Sequence, residues 1–150
     1  MSPGPDMALP AAQPDRKPVV VAADDDADLL NVIRIKLEGN GVRVVLARDG
    51  QEAIAAVRKH HPVVVILDVI MPKLNGFQVA RMIKFDKQLK SIPVIMLTVR
   101  NQPSDRNLGT QVGADEYLNK PFDPQHLLDR VHYWLKRRKD SMGGDAASTA

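Results

Sequence analysis

Three short runs of the chain are apolar without interruption, and these runs limit the fold more than any other feature of the sequence. They are Val19–Ala23, Val63–Leu67 and Val94–Leu97, and most of their residues are β-branched. A strand with one face in water alternates apolar and polar residues, whereas the strands of a parallel sheet that is covered on both faces are apolar throughout. The three runs therefore predict buried parallel strands with helices packed on both sides.

Segments with a helical spacing of apolar residues alternate with the strands. Two shorter strands are predicted over Val42–Ala47 and Tyr117–Asn119. The predicted helices cover residues 28–38, 51–60 and 77–85, a segment that begins after Ser104 and stops at Gly113, and a last helix with Asp123 as its N-cap and Pro124 at its first position. A strand–helix unit repeated five times predicts an α/β fold, a doubly wound five-stranded parallel sheet with five helices.

The chain has the length of one domain, with 150 residues of which 44% are hydrophobic. Residues 1–17 contain four of the eleven prolines and almost no large apolar side chain, and residues 140–150 are small and polar. Both compositions are typical of disordered tails. We therefore expect one folded domain over residues 18–139.

The composition excludes several classes of protein. The chain has no cysteine, which excludes a disulfide framework and thiolate metal sites and fits a reducing compartment, so we expect a cytoplasmic protein. Its longest apolar run is far short of the ~20 residues that span a bilayer, so we expect no membrane contact. The net charge of +3 is more than accounted for by Lys136, Arg137, Arg138 and Lys139 at the end of the last helix, where the helix dipole favours cations. We therefore expect no nucleic-acid contact in this chain.

Polar residues follow four of the five predicted strands directly. They are Asp24, Asp25 and Asp26 after the first strand, Asp68 after the third, Thr98 after the fourth, and Lys120 with Pro121 after the fifth. In open α/β sheets the ligand lies beyond the C-terminal ends of the strands. Each residue taken singly has an ordinary explanation as a helix cap or a turn. Their occurrence at four strand ends predicts one crevice that holds carboxylates, a hydroxyl and an ammonium group.

The charges of that crevice indicate its chemistry. Neighbouring carboxylates raise one another's pKa, and a divalent cation removes the repulsion. Oxygen ligands without histidine or cysteine suit Mg²⁺, with Mn²⁺ as an alternative. Asp68 facing such a cation can attack phosphorus and form an acyl phosphate, while Thr98 donates a hydrogen bond to a phosphoryl oxygen and Lys120 supplies a positive charge.

Four segments resemble the receiver domains of bacterial response regulators, which act in two-component and phosphorelay signalling. They are VVVAADDDADLL, VVVILDVIMPKLNGFQVARMIK, IPVIMLT and GADEYLNKPFDPQHLLDRV, in the order and spacing of that family. The resemblance covers residues 18–139. It implies a flavodoxin-like receiver fold and a regulator of the stand-alone, chemotaxis-like type.

The resemblance also implies a role for each site residue. Asp68 matches the phosphoacceptor, and Asp24 and Asp25 match the acidic pair that organises Mg²⁺, with Asp25 as the expected direct ligand. The further matches are the backbone carbonyl of Ile70 as a metal ligand, Thr98 and Lys120 as the groups that hold the phosphoryl group, Tyr117 as the switch aromatic, and a cis peptide bond between Lys120 and Pro121. Val99 departs from the small residue that is common at its position, and we expect its bulk to modulate access to Asp68.

The predicted function is therefore that of a phosphorelay receiver and not of a metabolic enzyme. The expected donor is a histidine kinase or a histidine phosphotransfer protein, and phosphorylation is expected to change the binding of an unidentified downstream protein through Thr98 and Tyr117. A homodimer is a further expectation, through the surface of the fourth helix, fifth strand and fifth helix. That surface includes Asp115, Glu116 and Arg130.

Two alternatives remain at this point. Aspartyl-phosphate hydrolases have a DxD motif, in which a second aspartate lies two residues after the nucleophile. In this chain Ile70 occupies that position, which argues against a hydrolase of this class. A receiver fragment of a longer DNA-binding transcriptional regulator needs an output domain beyond Lys139, where eleven small, mostly polar residues follow. The length of the intact gene decides between this fragment and a stand-alone receiver.

Overall fold

Five parallel strands form one sheet in the computed structural model of the chain, which describes residues 17–99 and 113–149. The strands are β1 (Val19–Ala23), β2 (Arg43–Ala47), β3 (Val64–Asp68), β4 (Val94–Thr98) and β5 (Glu116–Asn119). Their order across the sheet is β2-β1-β3-β4-β5, and every neighbouring pair is parallel. The predicted sheet is therefore confirmed. The chain changes direction across the sheet between β1 and β3, and a doubly wound sheet has its ligand crevice at such a point.

Four helices pack on the sheet within the described residues. They are α1 (Ala27–Glu38), α2 (Gly50–His60), α3 (Gly76–Lys84) and α4 (Pro124–Thr149). They correspond to four of the five predicted helices. The predicted helix after Ser104 falls on residues 100–112, which lie outside the described residues, and so does the predicted N-terminal tail apart from Lys17.

The two faces of the sheet carry separate apolar layers. Val65 and Met96 pack with α2 and α3, whereas their neighbours Ile66 and Ile95 pack with α1 and α4. Every residue of β3 and β4 is buried. Because successive side chains of a strand point to opposite faces, a strand covered on both sides needs an apolar residue at nearly every position. This explains why the apolar runs of the sequence are uninterrupted.

Each of the first three helices begins with a polar cap at the C-terminal edge of the sheet. The cap residues are Asp26, Asp49 and Asn75, and each side chain accepts a hydrogen bond from a backbone N–H group of the helix that it starts. Such caps satisfy N–H groups that have no partner within the helix. They start the helices within a few residues of the strand ends, and the loops around the crevice are therefore short.

The last helix is longer than the sequence predicts. Its backbone stays helical over 26 residues to Thr149, whereas the folded part was expected to end at Lys139 and residues 140–150 to form a tail. Proline interrupts a helix most strongly, and no proline follows Pro124. The helix can therefore continue beyond the part that packs on the sheet. No helix among the described residues combines the length and the hydropathy needed to cross a membrane.

Gly76 lies where α3 begins, against the end of β3. A Cβ atom at this position would lie 2.3 Å from the carbonyl oxygen of Asp68 and 3.0 Å from Cε of Met96. We expect Gly76→Ala to lower the free energy of unfolding by about 1–3 kcal/mol, as overpacking does in other cores, and urea unfolding measures this loss. Gly39→Ala is the control, because Gly39 ends α1 with an ordinary φ of −69°. Equal losses in the two variants would contradict the close approach at Gly76.

Candidate functional site

Three aspartates meet at the C-terminal edge of the sheet. Asp24 follows β1 and is fully buried, Asp25 is exposed, and Asp68 is the buried last residue of β3. Each offers a carboxylate oxygen, and these oxygens all lie within 4.8 Å of one another. The strands β1 and β3 are paired in register, with Ala23 opposite Leu67. The residues that follow these two positions are therefore adjacent.

Lys120 completes the cluster with a positive charge. Its Nζ lies 2.7 Å from Oδ2 of Asp24 and 3.2 Å from Oδ1 of Asp68. Lys120 follows β5, and its backbone N–H donates a hydrogen bond of 2.6 Å to the carbonyl oxygen of Thr98 at the end of β4. The peptide bond between Lys120 and Pro121 is cis, in agreement with the resemblance. One ammonium group thus neutralises part of the charge of two carboxylates that the strand ends bring together.

The acidic pair is asymmetric. Oδ2 of Asp24 accepts a hydrogen bond from Lys120, and Oδ1 accepts one of 2.9 Å from the backbone N–H of Asp26. Both oxygens of Asp24 therefore have a donor within the protein. Asp25 lies at the surface, and its carboxylate is accessible to a cation from solvent.

Thr98 and Tyr117 lie on the strands next to this cluster. Thr98 is the buried last residue of β4, and Tyr117 is a half-buried residue of β5 that packs against the apolar layer of α2 and α3. Ile70 has an exposed side chain, and its backbone N–H bonds to the carboxylate of Asp68. The structure thus brings the predicted residues to the same edge of the sheet, with Tyr117 two residues before the end of its strand.

The crevice shifts the pKa of its central groups. Burial and, next, the charge of Asp24 raise the pKa of Asp68 from 3.8 to about 6, although Lys120 and the backbone N–H of Ile70 act in the opposite direction. Burial lowers the pKa of Lys120, but its contacts with Asp24 and Asp68 outweigh burial, so the pKa is raised. Lys120 is therefore charged at neutral pH, and Asp68 titrates closer to neutrality than an exposed carboxyl group.

The oxygen atoms of the cluster suit a divalent cation. Asp24, Asp25 and Asp68 supply oxygen ligands alone, which Mg²⁺ and Mn²⁺ prefer over nitrogen or sulfur. Mg²⁺ commonly binds one or two carboxylates and keeps several of its water molecules, so an exposed carboxylate beside a buried one is sufficient. The residues present therefore fit the cation that the sequence predicts.

Val99 lies at the wall of a cavity beside the carboxylates. The cavity has a volume of about 420 Å³, and it is lined by Asp26, Leu29, Val99, Lys120, Pro121 and Phe122. The side chain of Val99 is 61% exposed. This position is compatible with an effect on access to Asp68, and that effect stays a prediction.

The charged residues of the expected partner surface are paired within the chain. Asp115 contacts Nζ of Lys84 at 2.7 Å. Glu116 accepts two hydrogen bonds from the guanidinium of Arg130 and a third, of 2.8 Å, from the indole N–H of Trp134. Charge pairing across a homodimer through Asp115, Glu116 and Arg130 would therefore involve groups that already have partners within the chain.

Arg48 lies at the same edge of the sheet, although no sequence pattern singled it out. Its guanidinium donates a hydrogen bond of 3.2 Å to the backbone carbonyl of Asp25. Arg48 directly follows β2. The rule that residues after strand ends meet in the crevice would have included Arg48 if it had been applied to the second strand as well.

Comparison with known proteins identifies the family. The family model of the response regulator receiver domain matches residues 20–132. The chain belongs to this family. The match confirms the resemblance to two-component receiver domains, and receiver domains of solved structure share its flavodoxin-like sheet and helices.

Relatives of this receiver domain include both short and long response regulators. The DNA-binding response regulator MtrA of Mycolicibacterium paratuberculosis is 38% identical over 121 residues, which are 81% of this chain and 52% of MtrA. The chemotaxis response regulator CheY4 of Vibrio cholerae matches with a TM-score of 0.74 and 34% identity, over 79% of this chain and 98% of that chain. The response regulator DrrB of Thermotoga maritima, an OmpR/PhoB homologue, matches with a TM-score of 0.73 and 33% identity, over 81% of this chain and 54% of that chain. This receiver domain spans about half the length of the curated relatives that it matches.

The raised pKa of Asp68 makes the stability of the fold depend on pH. Its pKa of about 6 in the folded chain lies above the value of 3.8 without the fold. The folded chain therefore binds more protons than the unfolded chain between these values, and stability falls as the pH rises through this range. Asp68→Asn removes the buried charge and leaves Lys120 paired with Asp24. Above the folded pKa we expect the variant to be more stable than the parent protein by about 3 kcal/mol, at about 1.4 kcal/mol per pKa unit.

Thermal unfolding in metal-free buffer measures this effect as the pH is raised from the unfolded pKa to above the folded pKa. The advantage of Asp68→Asn should be absent at the acidic end and complete at the alkaline end. Asp129→Asn is the matched control, because it makes the same substitution at an exposed position of α4. An advantage of Asp68→Asn that is the same at every pH would contradict the raised pKa.

Proposed function

We propose that Asp68 accepts a phosphoryl group from a phosphohistidine of a histidine kinase or of a histidine phosphotransfer protein. Membership in the receiver family supports a signalling role and a histidine kinase as partner. The observation that carries the assignment is the surroundings of Asp68, which has the acidic pair within 4.8 Å and the ammonium group of Lys120 at 3.2 Å. Such a carboxylate is both a nucleophile and a neighbour of the charges that stabilise phosphoryl transfer.

Mg²⁺ is the proposed cofactor, with Mn²⁺ as the alternative. Asp25, Asp68 and the backbone carbonyl of Ile70 would hold it, while Asp24 organises the site through its bonds to Lys120 and to the backbone of Asp26. The exposure of Asp25 and the internal bonds of Asp24 support this division of roles. When bound, the cation neutralises charge on the phosphoryl oxygens.

In the proposed transfer, an oxygen of Asp68 attacks phosphorus as the bond from phosphorus to the imidazole nitrogen of the donor breaks. The bonding electrons stay on that nitrogen, and Asp68 carries an acyl phosphate. Lys120 and Thr98 then contact phosphoryl oxygens as a positive charge and a hydrogen-bond donor. Because only the ionised carboxylate attacks, a pKa of about 6 keeps Asp68 reactive at neutral pH.

The proposed switch leads from Thr98 to Tyr117. Thr98 moves toward the phosphoryl group, Tyr117 turns further inward, and the surface along β5 and α4 changes its affinity for a downstream protein. The residue before Tyr117 in β5 is Glu116, which is bonded to Arg130 and Trp134 of α4. These contacts support a movement of β5 that reaches α4. They also favour a downstream protein over a homodimer that depends on the same charges.

The relatives support two candidates for the whole protein. MtrA is named a DNA-binding response regulator, and the matched region is about half of its length. A receiver part of a longer DNA-binding transcriptional regulator is therefore the second candidate. The stand-alone receiver is our first candidate, and the 98% coverage of the CheY4 chain supports it. In both cases we assign the receiver unit to residues 18–139. It would act in the cytoplasm, catalyse only its own phosphorylation and dephosphorylation, and make no nucleic-acid contact itself.

Labelling by a small phosphodonor tests the proposed function. We expect the parent protein to gain one acyl phosphate when Mg²⁺ is present, as measured by intact-mass spectrometry. Asp68→Asn should reduce labelling to background, because the amide cannot attack phosphorus. Asp25→Ala should also reduce labelling to background, and it should raise the melting temperature at low Mg²⁺ since it removes carboxylate repulsion.

Asp129→Asn is again the matched control, and it should be labelled at the rate of the parent protein. Undiminished labelling of Asp68→Asn would exclude Asp68 as the phosphoacceptor. An unchanged labelling rate in Asp25→Ala would remove Asp25 from the metal site.

Val99→Ala tests whether the cavity wall limits access to Asp68. We expect the smaller side chain to speed phosphorylation by small donors, hydrolysis of the acyl phosphate, or both, by several-fold. Val32→Ala is the control, since Val32 is also an exposed valine but lies on α1 and does not line this cavity. If both rates in Val99→Ala equal those of the parent protein, Val99 has only a packing role.

A further inference from the structure

We propose that Arg48 is a positioning residue of the metal site, which holds the peptide of Asp25 where the carboxylate can reach the cation. This inference rests on the proposed function and adds a residue to it. The guanidinium of Arg48 donates a hydrogen bond of 3.2 Å to the backbone carbonyl of Asp25. The bond joins the turn between β2 and α2 to the loop that supplies the acidic pair.

The turn that carries Arg48, residues 47–50, is itself fixed by the first turn of α2. The backbone N–H of Arg48 donates to Oε1 of Glu52 at 2.9 Å, and the backbone N–H of Glu52 donates to Oδ1 of Asp49 at 2.8 Å. Asp49 is buried. These two bonds hold the backbone of the turn from which the Arg48 side chain extends.

The same turn also contacts the loop between β3 and α3. The backbone N–H of Gly50 donates to the carbonyl of Pro72 at 3.4 Å, and Nζ of Lys73 lies 3.4 Å from Oδ2 of Asp49. A Cβ atom on Gly50 would lie 2.0 Å from the carbonyl oxygen of Leu74, which shows how closely the two segments approach. This loop follows Asp68 and contains Ile70. The turn therefore contacts both segments that carry the proposed metal ligands.

Asp25 is the ligand whose position depends most on such a contact. The backbone N–H of Asp24 still bonds to the carbonyl of Ala47 at 3.1 Å, which continues the pairing of β1 with β2 by one residue. Asp25 follows beyond that bond, and its side chain is exposed rather than held by packing. The peptide that joins it to Asp26 is held at its N–H by Oδ1 of Asp24 and at its carbonyl by Arg48. A restraint on its peptide lowers the conformational freedom that is lost when a ligand binds, and preorganisation of this kind raises affinity.

The charge of Arg48 acts in the opposite direction from its hydrogen bond. A guanidinium near the site repels a divalent cation, whereas the bond orders the loop that binds it. Arg48 bonds to the carbonyl of Asp25 and not to the carboxylate, so it leaves the proposed ligand oxygens accessible. We expect the ordering of the loop to contribute more to Mg²⁺ affinity than the repulsion removes. Loss of the Arg48 side chain should therefore weaken Mg²⁺ binding.

Calorimetric titration of the metal-free protein with Mg²⁺ tests the proposal without any phosphoryl transfer. We expect Arg48→Ala to weaken Mg²⁺ binding by about three-fold, the effect of one exposed hydrogen bond. Its melting temperature without Mg²⁺ should fall no further than that of Arg34→Ala, which also loses one exposed hydrogen bond. Arg48→Lys keeps the charge and a donor and should recover part of the affinity. Arg34→Ala is the matched control, because it removes the same charge from α1, where Arg34 bonds only to Asn31 among the contacts described for its guanidinium.

Weaker Mg²⁺ binding in Arg48→Ala, together with unchanged binding in Arg34→Ala, supports the positioning role. Unchanged or tighter binding in Arg48→Ala overturns it, and so does equal weakening in Arg34→Ala. If the parent protein binds Mg²⁺ and is labelled at Asp68 while Arg48→Ala binds Mg²⁺ equally well, only the role of Arg48 fails. If the parent protein neither binds Mg²⁺ nor is labelled, the proposed function and the role of Arg48 both fail.

Discussion

The contact of one ammonium group with two carboxylates is the interaction on which the crevice depends. Lys120 lies 2.7 Å from Asp24 and 3.2 Å from Asp68, and both carboxylates are buried. Without a cation between them, neighbouring buried carboxylates would repel each other and take up protons. Lys120 follows the edge strand β5, whereas the aspartates follow or end the inner strands β1 and β3. The ion pairs of Lys120 therefore connect the end of the edge strand with the ends of two inner strands.

This arrangement leaves Asp68 incompletely neutralised, which is useful in a receiver. Burial and the charge of Asp24 raise its pKa to about 6 despite Lys120, so the folded chain keeps a carboxylate that is costly to ionise. Perturbed groups of this kind are concentrated at functional sites. In the function that we propose, a divalent cation or a phosphoryl group would change the charge balance around Lys120. Because Lys120 and Glu116 lie at opposite ends of β5, and Glu116 is bonded to Arg130 and Trp134, a change in the crevice has a physical connection to α4.

Most of the fold, and the meeting of polar residues at one edge of the sheet, could be predicted because both depend on local patterns. The apolar runs indicate strands covered on both faces, and parallel strands place the residues after Ala23, Leu67 and Leu97 at one edge of the sheet. Pairings between distant side chains were beyond such reasoning. Glu116 looks like an available surface charge in the sequence, but Arg130 and Trp134, 14 and 18 residues away, bind it in the structure. The backbone of the last helix extends to Thr149, and the tail expected over residues 140–150 stays a prediction.

The sequence by itself determined which segments become buried strands, which polar residues end those strands, and hence that carboxylates, a hydroxyl and an ammonium group share one crevice. These properties follow from the hydrophobic pattern and the parallel direction of the strands, and that pattern can be recognised within short segments of the chain. Only the tertiary structure decided that Asp24 is bonded at both oxygens while Asp25 is exposed, that Lys120 joins two carboxylates, and that Arg48 holds the acidic loop. The contacts of Lys120 with the two aspartates and of Arg48 with Asp25 join residues from different loops. Their distances depend on the order and register of the strands, which no single segment specifies.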